Sequence, residues 1–324
     1  MTGRPGEAEL IARFLAPLAS HPAALGLGDD AAALAPPPGQ DLVLTADAVA
    51  RDVHFLDDSA DAIARKALRV NLSDLAAKGA APLGYLLTLG LEADWTEDWL
   101  AAFCAGLAAD QETYGMRLLG GDTIRAPGGL VVSITAIGTV PAGRMVRRNG
   151  ARAGDVLLVT GTIGDAALGL RLRRDPGLGA RLTVRDAAHL LGRYRLPEPR
   201  VAAASAVLAH ARAAMDLSDG LVGDAGKMAA ASGVRLVIDA AAVPLSAAAR
   251  TLIAGAPDLL TTALTGGDDY EILAAVPGEA LSAVLAAFAA AGVPATPIGR
   301  VEPGAGVALR GATLGRGPSA FSHF

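Results

Sequence analysis

Six aspartates in this 324-residue chain share a local pattern. Asp30, Asp122 and Asp219 lie close to glycine, Asp47 and Asp216 close strand-like runs, and Asp74 falls on a helix face that should be apolar. Glycine beside aspartate lets backbone and ligand approach closely, and hard oxygen donors gathered from separated loops suit Mg²⁺. That many carboxylates would repel an anionic substrate unless divalent cations stood between them. The chemistry that most often brings anions and Mg²⁺ together is phosphoryl transfer, so the set implies several metal ions and a phosphorylated substrate. Taken singly, each residue reads equally well as an N-cap or turn aspartate. That alternative weakens for the set, because few of them are followed by the plain helical pattern a cap requires.

Cations for phosphate binding are available at Arg144, Arg147 and Arg148, with bidentate geometry, and at Lys78; the same arginines also read as a solvated basic linker. His54, in a polar segment after Asp47, reads as a general base, a phosphate donor or a surface residue. If the acceptor is itself a phosphate, its oxygens are already ionised near about pH 7 and no base is needed, which favours His54 as a substrate contact. Tyr114 precedes Gly120-Gly121-Asp122 and is placed to stack on a base or to fill core.

These residues need elements to hold them. Residues 59–78 read as one helix stopped by Gly79, on which Ile63, Ala67, Val70 and Asp74 fall within roughly 40° of one another. Asn71 and Lys78 lie at the edge of that arc, while Arg65, Arg69 and Ser73 point elsewhere. An inward carboxylate is costly unless paired or bound to a cation; for Asp74 the pairing alternative is Lys78 at i,i+4. Before this helix come an amphipathic helix over 6–18 and a strand over 42–45 ending at Asp47. After it, the pattern gives a strand over 83–89, a helix capped near Asp94 or Thr96, a run at 116–119 into Gly120-Gly121-Asp122, and a strand over 130–140. Glycines, Pro141 and four arginines between 141 and 154 mark a domain boundary. Beyond it, strands at 156–160, 235–239 and 270–276, short ones near Ile298 and Val307, and intervening helices including 201–212 make this half α/β as well. The Met215-Asp216-Leu217-Ser218-Asp219-Gly220 segment joins a strand end to a helix start.

Two nucleotide-binding patterns fail on inspection. Gly26-Leu27-Gly28-Asp29-Asp30-Ala31 fits GxGxxA but sets two carboxylates where a pyrophosphate would approach and lacks a clear preceding strand. Gly223-Asp224-Ala225-Gly226-Lys227-Met228 has its first glycine misplaced and Met228 where a P-loop needs Ser or Thr. Composition sets further bounds. A hydrophobic content of 52% supplies ample core, and the net charge of −5 gives no general attraction to nucleic acid or anionic membrane. The single Cys104 excludes an internal disulfide and a cysteine zinc site. No signal-peptide pattern and no run of about 18 apolar residues is present, so a soluble cytoplasmic protein is expected.

The motifs in order, Gly6-Glu7, Gly28-Asp29-Asp30-Ala31, Thr45-Ala46-Asp47, His54-Phe55, residues 70–79, Gly120-Gly121-Asp122-Thr123, residues 215–221 and Gly266-Gly267-Asp268-Asp269-Tyr270-Glu271, resemble thiamine-monophosphate kinases nearly end to end. That family belongs to the ATP-binding superfamily of aminoimidazole ribonucleotide synthetase. The resemblance implies an α/β (α+β), PurM-like fold of two domains. Residues 1–142 would form an N-terminal domain for ATP, Mg²⁺ and dimerisation, and 143–324 a C-terminal domain completing the substrate site. It further implies a homodimer, ATP as co-substrate, and transfer of its γ-phosphoryl directly to thiamine phosphate as the last step of thiamine diphosphate synthesis. Matched motif by motif, Asp30, Thr45, the Ala46 carbonyl, Asp47, Asp74, Asp122, Asp216 and Asp219 correspond to the Mg²⁺ ligands, with Asp47, Asp74 and Asp122 central to catalysis. Tyr114, Gly121, Asp122, Arg148 and Ser218 correspond to ATP contacts, and His54, Asp268 and Phe321 to contacts with thiamine phosphate.

Two departures touch contact details. Asp268 stands where the family usually has glutamate, so a shorter carboxylate must reach the substrate, and Ala46 stands where a hydroxyl residue is common. Sister enzymes fit less well: the synthetase itself would carry Gly-Gly-Glu-Thr at 120–123, and selenophosphate synthetases or hydrogenase-maturation dehydratases would need terminal cysteines that are not here. A non-catalytic Mg-nucleotide sensor would have no use for His54, the acidic loop and Phe321.

Overall fold

A computed structural model of the chain describes residues 5–315 and residue 320. The chain divides into two compact units: Met1–Leu75 with Ala81–Gly143, and Ala76–Ala80 with Arg144–Phe324. The end of the Asp74 helix therefore clusters with the second unit although it lies in the first half of the sequence.

The first unit opens with α1 (Glu7–Leu10), prolonged by a π turn over Ile11–Leu15 and a 3₁₀ turn over Ala16–Leu18. Then follow β1 (Gln40–Ala50), α2 (Ala60–Ala77), β2 (Ala81–Leu91), α3 (Glu97–Tyr114), β3 (Leu118–Arg125) and β4 (Val131–Pro141). The four strands form one sheet in the order β1-β4-β2-β3, with only β2 and β3 parallel. Side chains alternate between faces. One face sets Val43, Val49, Val132, Ile134, Tyr85, Leu87 and Leu89 into the core. The other leaves Leu44 at 62% and Ile124 at 50% exposure, with Leu86 and Val131 also open. Thr96 caps α3 by accepting from Trp99 N–H at 3.1 Å, and Gly115, at φ 70°, ends it.

The helix α2 differs from the single-stripe reading. It is buried nearly all round, and Lys66, Arg69, Asn71 and Ser73 are all buried. Arg69 does not point away from the core: its guanidinium makes a bidentate contact with the fully buried Asp110 of α3, Nε to Oδ2 at 2.6 Å and Nη2 to Oδ1 at 2.9 Å, and Arg65 Nε adds a third bond at 3.1 Å. The helices come this close because a side chain at Gly106 would meet the Asp61 carbonyl at 2.6 Å.

The second unit contains β5 (Val156–Thr160), α4 (Asp165–Arg174), α5 (Val184–Arg195), α6 (Ala204–His210), β6 (Ala213–Asp216), α7 (Leu221–Ser232), β7 (Arg235–Asp239), α8 (Ala247–Gly255), α9 (Leu259–Thr265), β8 (Ile272–Val276), α10 (Leu281–Ala290), β9 (Ala295–Glu302) and β10 (Gly306–Arg310). Its six strands run β10-β7-β9-β5-β8-β6. Leu157, Met215 and Leu273 pack against α7 on one face, while Leu158, Ala214 and Ala274 pack against α6 and α10 on the other, so central strands such as Ile272–Val276 are buried at every position. The edge strand β6 is covered at Ala214, whose N–H donates to the Arg147 carbonyl at 3.0 Å and whose carbonyl accepts from Lys78 Nζ at 2.8 Å.

Several boundaries depart from the sequence reading. Asp47 and Asp122 lie inside β1 and β3, not at strand ends. The basic stretch before Arg200 contains α5, two helices fill the interval between β7 and β8, and the 201–212 helix stops at His210. The strand expected from Tyr270 starts at Ile272, because Tyr270 takes φ 51°. Among the described residues no helix is long and apolar enough to cross a membrane.

Removing one member of a buried ion pair strands the other charge. Asp110→Ala should therefore cost about 3–5 kcal/mol, measured by urea unfolding at neutral pH; a loss below about 1 kcal/mol would mean that Arg65 and Arg69 reach water on their own.

Candidate active site

On the helix-covered face of the first sheet, Thr45 Oγ1 donates to Asp74 Oδ2 at 2.5 Å, so a β1 hydroxyl and an α2 carboxylate form one oxygen-rich pair. Two residues along β1, Asp47 N–H donates to Asn71 Oδ1 at 3.0 Å, while Asn71 Nδ2 donates to the Ala67 carbonyl of its own helix. Asn71 is thus a strut that sets the Asp47 backbone against α2. Lys78, the i,i+4 candidate for Asp74, sends its ammonium to the Ala214 carbonyl. Ala46 is exposed and brings only backbone to a ligand.

His54 is fixed at the turn after β1. Its Nδ1 accepts from Ala50 N–H at 3.1 Å, and the His54 backbone N–H donates to the Ala50 carbonyl at 3.0 Å. With Nδ1 acting as acceptor, the neutral ring carries its proton on Nε2. The nearly fully buried Lys66 donates to the His54 carbonyl at 2.7 Å. Helical spacing alone carries no signal for Lys66, because its partner is a backbone carbonyl twelve residues away.

Asp30 and Asp122 belong elsewhere. With Glu7, Asp29, Gly121 and Thr123 they line a cavity of about 650 Å³ along edge strand β3. The cross-strand register runs Asp47–Ile134–Leu87–Gly121 and, one row on, Ala48–Ser133–Thr88–Asp122. Adjacent rows project to opposite faces, and three strand spacings span roughly 14 Å. Within one copy of the chain, Asp47 and Asp122 therefore stand at opposite edges and opposite faces of the sheet. Gly121 is required by close approach, since a Cβ there would lie 1.8 Å from the Leu87 carbonyl oxygen. Tyr114 does not line the cavity; the Arg69 guanidinium lies 5.7 Å from its ring centroid.

In the second unit, β6 ends at Asp216, which pairs with Ile272 at the start of β8, so the 217–220 and 266–271 segments emerge side by side. Asp268 N–H donates to the Ser218 carbonyl and Tyr270 N–H to the Leu217 carbonyl, each at 2.9 Å. This brings Asp216, Ser218, Asp219 and Asp268 to one end of the sheet. Asp219 is met by Lys227 of α7, which also donates to the fully buried Asp224 at 2.7 Å; Asp224 in turn accepts from Asp219 N–H at 2.9 Å. Burial raises the Asp224 carboxyl above its ordinary range. Lys227 thus serves Asp219 from inside a helix, which removes any phosphate-loop reading of residues 223–228. Arg148 lies on the exposed segment that passes the β6 edge, and Phe321 lies outside the described residues. Cys104 is buried, and burial pushes its thiol up to about 12, which suits an inert core residue.

Among the described residues no three His, Cys, Asp or Glu side chains are gathered as a metal cluster. The sequence-derived set is split into a Thr45–Asp74 pair near Asp47, an Asp30–Asp122 cavity that Asp29 also lines, and an Asp216–Asp219 group. Each fits magnesium in donor chemistry, because that ion characteristically takes one or two protein carboxylates and completes its octahedron with water and phosphate oxygens.

Residues 28–140 match the AIR synthase related protein, N-terminal domain, and residues 152–311 its C-terminal domain. Thiamine-monophosphate kinase of Caulobacter vibrioides is 46% identical over 308 residues, 94% of this chain and 86% of that protein. This chain belongs to the thiamine-monophosphate kinase family. The Salmonella typhimurium enzyme of the family is 42% identical over 92% of this chain and 90% of its own. Among solved structures, the family member from Stenotrophomonas maltophilia is 41% identical with a TM-score of 0.81, covering 88% of this chain and 90% of that one. A structure described as AaThiL complexed with AMPPCP and TMP is 32% identical with a TM-score of 0.79, over 92% and 91%.

Asp269, next to Asp268, is wholly buried, and burial raises its carboxyl from 3.8 to about 8. A carboxyl held neutral by the fold favours folding most below its unfolded pKa and loses that contribution as pH rises through about 8. Between pH values of about 5 and 9 the wild type should lose at least about 1 kcal/mol more stability than Asp269→Asn, measured by urea unfolding of both proteins; parallel losses would place the titration elsewhere.

Proposed function

We propose that this chain transfers the γ-phosphoryl group of ATP to thiamine phosphate, giving thiamine diphosphate and ADP. The observation that carries the reading is the similarity, over nine-tenths of the chain, to AaThiL complexed with AMPPCP and TMP. AMPPCP is an ATP analogue with a carbon bridge where ATP has its β–γ oxygen, so that complex is described as holding donor and acceptor together. A phosphate oxygen of the acceptor would attack the γ-phosphorus as the β–γ bridging P–O bond breaks, and ADP leaves with the bond's electrons. Since the attacking oxygen is already anionic near about pH 7, no side chain has to remove a proton. The protein's task is to bring two anions together in line.

The residues support that task in three places. His54, with its proton on Nε2 and its backbone held by Lys66, is built to donate to an anionic oxygen. Asp268 and the 217–219 backbone meet at one end of the second sheet, which suits a site that takes an acceptor beside the ATP phosphates, with Arg148 and Ser218 as ATP contacts. Tyr114, flanked by Arg69, offers an aromatic face for adenine, and Gly121 lets backbone approach a nucleotide. Magnesium would be held by Asp30, Thr45, the Ala46 carbonyl, Asp47, Asp74, Asp122, Asp216 and Asp219, where it would neutralise phosphate charge and polarise the transferred group.

The first sheet supports a homodimer. Leu44, Leu86, Ile124 and Val131 make an open apolar face in an otherwise well-packed unit, on the side that also carries Asp122. A second copy seated there would cover that face and could bring its Asp122 toward the Asp47 edge of its partner. Both proposed substrates are small water-soluble phosphates, and a cytoplasmic biosynthetic enzyme is the setting that fits them.

Purified protein given ATP, Mg²⁺ and thiamine phosphate should form thiamine diphosphate and ADP in equal amounts, with no product from unphosphorylated thiamine. Asp122→Asn and Asp74→Asn should each lower kcat by about 100-fold or more, with unchanged thermal unfolding. ADP without thiamine diphosphate would sink the substrate assignment, and a monomer in sedimentation velocity at micromolar concentration would sink the dimer.

A further inference from the structure

The 266–271 loop carries more buried polar structure than an acceptor contact at Asp268 needs. Asp268 takes φ 72° and Tyr270 φ 51°, left-handed conformations that cost an ordinary L residue energy and persist only where surroundings impose them. Two buried acidic side chains flank them. Asp269 accepts from Gly164 N–H at 2.6 Å and Ala166 N–H at 3.3 Å, across the N-terminus of the ten-residue helix α4. Glu271, fully buried, accepts from Arg193 Nη2 at 2.8 Å, Arg200 Nε at 2.7 Å and Thr160 Oγ1 at 2.6 Å. Arg193 Nη2 also donates to the Asp269 carbonyl at 3.0 Å, so one guanidinium ties both sides of the loop. Gly267 packs so closely that a Cβ would meet the Ser218 carbonyl oxygen at 2.1 Å.

Resting on the kinase reading above, we propose that Asp269 and Glu271 are positioning residues for the acceptor site: through α4, Arg193 and Arg200 they hold the Asp268 backbone in its left-handed conformation and so fix where its carboxylate meets thiamine phosphate. The left-handed region is one that aspartate tolerates better than most L residues, which gives a physical reason for Asp268 at this position. Of the ATP contacts, Tyr114, Gly121 and Asp122 belong to the other unit and only Ser218 touches the loop, through its carbonyl; the Mg²⁺ ligand Asp219 is anchored separately, by Asp224 and Lys227 of α7. Disturbing the frame should therefore weaken the acceptor and spare the nucleotide.

The test is steady-state kinetics with both substrates varied, for the wild type, Asp268→Asn, Asp269→Asn, Asp269→Ala, Glu271→Gln and the double variant Asp268→Asn/Asp269→Ala. Asp268→Asn should raise KM for thiamine phosphate about tenfold. Asp269→Ala and Glu271→Gln should raise it by a similar factor while KM for ATP changes less than about twofold. Asp269→Asn, which keeps an acceptor oxygen for the α4 amides, should recover most of the loss. The double variant should be no worse than Asp268→Asn alone, since a frame has nothing left to position. Equal rises in both KM values, or a full further loss in the double variant, would overturn the positioning role and leave the kinase assignment standing. An unchanged acceptor KM in Asp268→Asn would instead overturn the acceptor site itself and the proposal with it. If Asp269→Ala does not fold, Glu271→Gln alone decides by the same split between the two KM values.

Discussion

A charge withdrawn from water must be met by a fixed partner, and in this chain that requirement shapes the neighbourhoods of His54, Tyr114, Asp219 and Asp268. Asp110 is fully buried and tolerable only because Arg65 and Arg69 reach it, which forces α2 and α3 into close contact. The same contact places Arg69 over Tyr114. Lys66 is buried with its ammonium on the His54 carbonyl, so one helix sets two positions that the proposed chemistry needs. In the second unit, Glu271 plays the corresponding part with Arg193 and Arg200. Buried ion pairs contribute little net stability, but a misplaced partner is heavily penalised, and that asymmetry makes them good at fixing a geometry.

Local pattern was enough to find the elements that bear most of the chemistry. The β-like runs, the long helix ending at Gly79 and the Asp-Gly segments stand out because hydrophobic period and glycine placement are properties of a few neighbouring residues. The ordered motifs identified the family, and the matched domains and relatives agree with it. Pairings between distant segments left no such trace. Arg69 and Asp110 are 41 residues apart, and Arg193 and Glu271 are 78 apart, so a helical wheel treats the arginine as a solvent-facing residue. Asp47 misled for a related reason: a strand that continues at an exposed sheet edge looks, in sequence, like one that has ended.

Which aspartates meet was also hidden. Sequence reading groups them by chemistry, but a sheet separates them by parity and by strand order. Asp47 and Asp122 sit in rows one residue out of step, which in a pleated sheet is the difference between two faces. Nothing in the identity of either residue records that parity; it is set by pairing partners chosen elsewhere in the chain.

The short segment Ala76–Ala80 belongs in space to the second unit, where Lys78 occupies the Ala214 carbonyl and Gly79, at φ 71°, lies too close to Leu208 for any side chain. This unit is therefore continuous in space but not along the chain. A gene fragment beginning at Arg144 would encode a body missing five of its own residues, with one carbonyl of an edge strand laid bare and a gap beside α6. For such a fold, recombination at the apparent linker is not a neutral cut. The two halves can be inherited, shuffled or expressed apart only if that borrowed segment travels with the second of them.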